Sequence, residues 1–111
     1  MSVSKKTPQA ECPVDTALTV LDGRWKGTIL WRLVSGPMRT SEIRRSIPDI
    51  TERMLIRHLQ ELVRDGILER RDHQSVPPHV TYSISDYGQS LLPVVQALCD
   101  WGRGHAAMKA P

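Results

Sequence analysis

Between Thr51 and Gly66 the apolar and polar positions separate onto two sides of one helix. Leu55, Leu59 and Leu62 recur at plus four and plus three, flanked by Ile56 and Val63. Arg53, Arg57, Gln60 and Arg64 recur on the opposite side. This periodicity predicts an amphipathic helix over 51–65, capped by Asp49 or Thr51 and stopped by Gly66. The same rhythm puts Val14, Ala17, Leu18 and Leu21 on the inner side of a first helix, begun at Pro13 and ended by Gly23. Trp25, Ile29, Leu30, Leu33 and Val34 share a face of a second, ended by Gly36-Pro37. The segment "MRTSEIRRSIPD" predicts a short extended start, then a short helix capped by Thr40 or Ser41 and closed by Pro48.

Beyond Gly66 the period falls to two. "ILERRDH" and "HVTYSIS" predict two strands, the second alternating Val80, Tyr82 and Ile84 with Thr81 and Ser83. The polar loop "QSVPP" makes the pair a hairpin with a projecting tip. Ser85 or Asp86 then caps a final helix whose apolar side carries Leu91, Val94, Val95, Leu98 and Trp101, with Pro93 kinking or loosening it. Residues 1–11 read as a loose polar arm, and 12–111 as one unit. The class is α+β, mostly α.

At 111 residues there is room for one modest core. No apolar run reaches membrane-spanning length, and the two lysines near the amino terminus precede no apolar stretch, so a cytoplasmic location is expected. The net charge of +3 matters through its distribution. Residues 24–57 hold eight basic residues against three acids (+5), and the remainder seven against nine (−2). A basic first half points to a polyanion.

A short helix, a turn, a second helix with an outward arginine stripe and then a hairpin make a winged helix-turn-helix. The major groove admits one helix, whose first residues meet base edges. Thr51, Glu52 and Arg53 hold that end, with Arg57 a turn further on. Arginine's forked, permanently charged head suits guanine or phosphate. Thr40, Ser41, Arg44 and Arg45 are candidates for the DNA backbone, and His73, Gln74 and Ser75 at the wing tip for the flanking groove. The bland alternative for any such stripe is a solvated face. Arg64, three turns in and neutralised by Glu61 or Asp65, fits it best, and Arg70 and Arg71 fit the polar rungs of an ordinary hairpin.

The run "LDGRWKGTILWRLVSGPMRTSEIRRSIPDITERMLIRHLQELVRDGILERR" with "PPHVTYSISDYGQSLLPVVQALCDWG" resembles the HxlR-type winged-helix regulators of bacteria. The motifs are Gly23-Arg24-Trp25, Met38-Arg39, the Leu59 to Gly66 run, Pro77-Pro78-x-Val80-x-Tyr82-x-Ile84 and Trp101-Gly102. Thr40 stands where the family usually carries phenylalanine. The resemblance implies a homodimer on an inverted-repeat operator, acting as a repressor, with the first and last helices as the dimer interface. Val14, Leu18, Leu98 and Trp101 fall there. It also implies a role for Cys12, since some members sense quinones, other electrophiles or oxidants with a cysteine before the first helix. Cys12 precedes Pro13 at a helix start, where the dipole favours thiolate while Glu11 and Asp15 oppose it. Two readings stay open: a sensor, bonding to Cys12 or Cys99 of the second subunit or stopping at sulfenic acid, or an inert interface thiol. Cys99 reads as core or interface.

His58, His73, His79 and His105 show no ligand spacing with either cysteine, so no metal or other cofactor is expected. Cys12 with a distant histidine is the only candidate catalytic pair, and the chain has little room for a cleft, so no enzyme is expected. Two alternatives remain: induction by a small ligand at the dimer seam, and a winged helix used for protein contacts. The second predicts a neutral or apolar recognition face, contrary to Arg53, Arg57 and Arg64.

Overall fold

The computed structural model describes residues 12–110; the expected polar arm, 1–11, lies outside them. The order is α1 (Pro13–Val20), α2 (Lys26–Leu33), α3 (Thr40–Ser46), α4 (Glu52–Arg64), β1 (Leu68–Asp72), β2 (Val80–Ile84), α5 (Asp86–Gln89) and α6 (Leu92–Lys109). The two strands pair antiparallel, with Leu68 opposite Ile84 and Asp72 opposite Val80. Met38 adds a bridge to Tyr82, its N–H donating to Tyr82 O at 3.0 Å and its carbonyl accepting at 2.9 Å. This is a winged helix.

One core forms where α2, α3 and α4 meet the hairpin. Ile29, Leu30, Ile43, Ile50, Leu55, Leu59 and Leu62 are fully buried in it, joined by Leu68 and Tyr82 from the strands. Val80 and Ile84 are half-buried beside Tyr82, while β1 beyond Leu68 is exposed. Thr51 caps α4, its Oγ1 accepting the Met54 N–H at 3.1 Å. The other end closes at Gly66, whose φ of +79° suits glycine. There the Ile67 N–H donates to Leu62 O at 2.9 Å and the Gly66 N–H to Val63 O at 3.0 Å.

Five expectations need correction. Ile56, placed beside the leucines of α4, is 41% exposed and outside the core. Thr40 and Ser41 lie inside α3, and Glu42 does the capping, its Oε1 accepting the Arg39 N–H at 2.7 Å. Val34, expected inward, is exposed. So is the whole apolar side of α1 except Leu21, with Val14 at 59% and Leu18 at 54%. The last helix is not kinked but divided: α5 ends at Gln89 and Pro93 sits in the first turn of α6, where its missing N–H costs nothing. On α6 only Val95 is buried; Leu98 is 52% exposed and Trp101 69%.

Ser85 joins three elements. Its Oγ accepts the Gly88 N–H at 2.8 Å and lies 2.6 Å from Gly66 O and 3.1 Å from Ile67 O, to which it donates. Its own N–H donates to Ile67 O at 3.0 Å. Gly88 is required there, because a Cβ would overlap the Ile67 carbonyl oxygen.

Candidate nucleic-acid interface

α3 and the start of α4 gather the expected backbone-gripping residues. Thr40, Ser41, Arg44, Arg45, Pro48 and Glu52 surround one open hollow of about 610 Å³. The fold brings them together because Ile43 points into the core, which turns Arg44 and Arg45 outward. Thr51 and Arg53 are exposed at the amino-terminal turn of α4, whose free amides add an anion-favouring end. Among the described residues, Arg44, Arg45, Arg53 and Arg64 lie within ion-pair distance of no carboxylate. Unpaired exposed guanidinium groups are free to meet phosphate or base edges.

Arg57 is different. Its Nε sits 3.5 Å from Glu61 Oε2, one turn along, on a side chain that remains well exposed. Glu61 or Asp65 was expected to neutralise Arg64; neither lies within ion-pair distance of it, and Glu61 turns inward. Lys26 Nζ from α2, only 3% exposed, lies 2.9 Å from Glu61 Oε1. The hydrogen bond from Lys26 is the main reason the Glu61 carboxyl is held at about 2, with its charge, His58 and Arg57 adding to it. His58, also buried, brings Nδ1 to 3.6 Å of the same carboxylate and finds no hydrogen-bond partner. This Lys26–Glu61–His58 cluster lies behind α4, where it anchors the helix to α2 while the arginines face out.

At the wing, the His73 N–H donates to His79 O at 2.8 Å and closes the loop. The two imidazoles stack with centroids 4.1 Å apart, and His73 Nε2 is 3.0 Å from Thr81 Oγ1. Desolvation, then Arg39 and His73, lower the pKa of His79. The Gln74 N–H donates to Asp72 Oδ1 at 2.8 Å and Ser75 Oγ donates to Pro77 O at 2.8 Å, leaving the Gln74 side chain exposed at the tip. The loop is therefore held by its own bonds and projects as a formed finger.

The sequence reading left Arg64 and Arg70 out of this surface. Arg70 shares the face of β1 that carries Leu68, so it leans toward α4 and borders a hollow of about 440 Å³ with Gln60 and Arg64. Strand alternation was the available signal. Among the described residues no group of three or more metal-binding side chains comes together, and no helix is long and apolar enough to cross a membrane. Cys12 is exposed at the cap of α1. Cys99 is half-buried against the core, beside a hollow of about 460 Å³ that Trp31 and Leu98 also border.

Comparison with known proteins agrees with this geometry. The HTH-type transcriptional regulator YkvN of Bacillus subtilis (strain 168) is 45% identical over 95 residues, covering 86% of this chain and 80% of YkvN. The redox regulator HypR in its oxidised form superposes with a TM-score of 0.79 at 42% identity, covering 84% of this chain and 96% of HypR. Quinone-bound YodB from B. subtilis gives 0.70 at 34% identity, covering 84% and 99%. Residues 20–110 match the HxlR-like helix-turn-helix family, and the chain belongs to it as a transcriptional regulator.

Proposed function

We propose that the protein is a homodimeric repressor that lays α4 of each subunit into successive major grooves of an inverted-repeat operator. Residues 12–111 act as one unit in this reading, working in the cytoplasm with DNA as partner, and the terminal helices serve as dimerisation arms. The observation that carries it is the set of unpaired arginines, Arg44, Arg45 and Arg53, around the opening turn of α4. Arg53 and Arg57 supply base or phosphate contacts, Thr51 and Glu52 border the same base edges, and Thr40, Ser41, Arg44 and Arg45 hold the backbone. His73, Gln74 and Ser75 carry the wing onto the flank. Val14, Leu18, Leu98 and Trp101 bury against the second copy, since two terminal helices with bare apolar sides are costly in water. The test is DNA affinity across a salt series: log affinity should fall linearly with log salt, steeply enough for several released counterions per dimer. A flat salt response would sink the reading and favour a protein-contact module.

The regulatory part of the proposal places the signal at Cys12, exposed at the start of an arm that meets the partner. Oxidation or alkylation there changes how the arms pack, and with it the spacing of the two α4 helices. Operator affinity measured reduced and after diamide or quinone, on wild type and Cys12→Ser, should drop only for treated wild type. Equal loss in Cys12→Ser would move the signal elsewhere. One such place is a hollow of about 470 Å³ under α1, bordered by Ala17, Val20, Tyr87 and Leu91, where a small-ligand inducer would sit.

A further inference from the structure

Ile56 stands apart from its neighbours on α4. Leu55 and Leu59 are buried and Val63 packs against the core, whereas Ile56 is 41% exposed and joins no core contact. It lies at the border of the outer face, three residues after Arg53, four before Gln60 and seven before Val63. A β-branched residue is a mediocre helix former, and here only part of the side chain is covered to offset that deficit. Folding therefore does not account for the exposed part of this isoleucine.

Groove chemistry does. In a helix a β-branched side chain keeps essentially one χ1 rotamer, so its methyl groups are held at a fixed place. Among the base edges of the major groove, the thymine C5 methyl is the group that a rigid aliphatic side chain matches. Gln60, next along the face, has a side chain that makes no hydrogen bond among the described residues, and its amide suits adenine N6 and N7, thymine's partner. Met54, also partly exposed, lies on the other flank of the helix and is flexible, so it is the poorer reader.

We propose that Ile56 is a specificity-determining residue that packs against a thymine methyl in each operator half-site, with Gln60 facing the adenine side. The proposal rests on α4 being the groove-bound helix. Its test starts from DNA selected by the protein out of random sequence, and measures Kd at fixed salt by fluorescence anisotropy. Each thymine of the selected half-site is replaced in turn by deoxyuridine, which removes the methyl and keeps the base pairing. At one thymine position, replacement in a single half-site should weaken wild-type binding about fourfold, the worth of one buried methyl, and replacement in both half-sites about sixteenfold.

Ile56→Ala should bind the thymine and deoxyuridine operators equally, and Ile56→Val, which keeps the branched methyls, should retain the discrimination. Both variants should fold, since the residue is outside the core. A selected operator in which no deoxyuridine weakens binding would overturn the assignment. So would an Ile56→Ala protein with an undiminished deoxyuridine penalty. Selection that yields no preferred DNA at all would overturn the groove reading together with it.

Discussion

α4 and α6 are both amphipathic, yet the chain treats them in opposite ways. Of thirteen residues in α4, four are buried, all along one stripe facing α3 and the hairpin. Of eighteen in α6, only Val95 is, and α1 buries none. The winged unit thus closes its own core, while the terminal helices keep apolar surface that this chain does not cover. An apolar stripe in a sequence says that something will be covered, not that the same chain covers it.

That contrast can be broken by experiment. Leu18→Asp would place an unpaired carboxylate in each half of the proposed symmetric seam, costing more than about 3 kcal/mol of dimer affinity. Sedimentation should show monomer while far-UV circular dichroism keeps the helical signal. A still-dimeric or an unfolded variant would refute the division. Leu59→Ala should do the reverse, lowering unfolding free energy by about 2–5 kcal/mol in denaturant titration, because a fully enclosed cavity cannot collapse. Arg57→Ala should leave folding intact and weaken operator binding by about 1–3 kcal/mol at fixed salt if it meets a base. Unchanged binding would confine that side chain to its contact with Glu61.

The smallest effect concerns acid. The Glu61 carboxyl is held at about 2, below the ordinary 4.5, so its contribution is complete above about 4.5 and is lost as pH falls toward 2. Stability measured from pH 5 down to 2 should decline in wild type, and the decline should be shallower in Glu61→Gln. Identical slopes would show that Lys26 gains nothing from the charge.

Local rules made much of this visible in the sequence. Thr51 and Gly66 are chemically suited to the ends of α4, and its leucine stripe survives folding because it meets the core that the pattern anticipates, while Ile56 beside it does not. Long-range pairings were not visible. Glu61 had Arg57, Arg64 and Asp65 as sequence neighbours, and only the packing of α2 against α4 brings Lys26 to it. The capping role of Glu42 was hidden because Thr40 and Ser41 are themselves good caps, and the backbone begins its turn one residue earlier. Val14, Leu18 and Val34 followed a helical period, but a period does not say that the same chain covers the stripe, and all three are exposed on this one. Arg70 needed a register that only the hairpin partner supplies. The division at Ser90 and Leu91 was missed because a proline signals a break without saying on which side of it the new helix starts.

Ser85 gives the assembly a mechanical character. One side chain clasps the exit of α4, the root of the hairpin and the entry to α5, so those parts are tied into a single tool head. The chain is interrupted just after that clasp, and α6 is the handle beyond the joint. In the dimer proposed above, torque applied to the handle by a partner subunit would turn the head as a whole. Each head would keep its grip pattern while the distance between two heads changed, and such a regulator would lose its operator by losing the spacing.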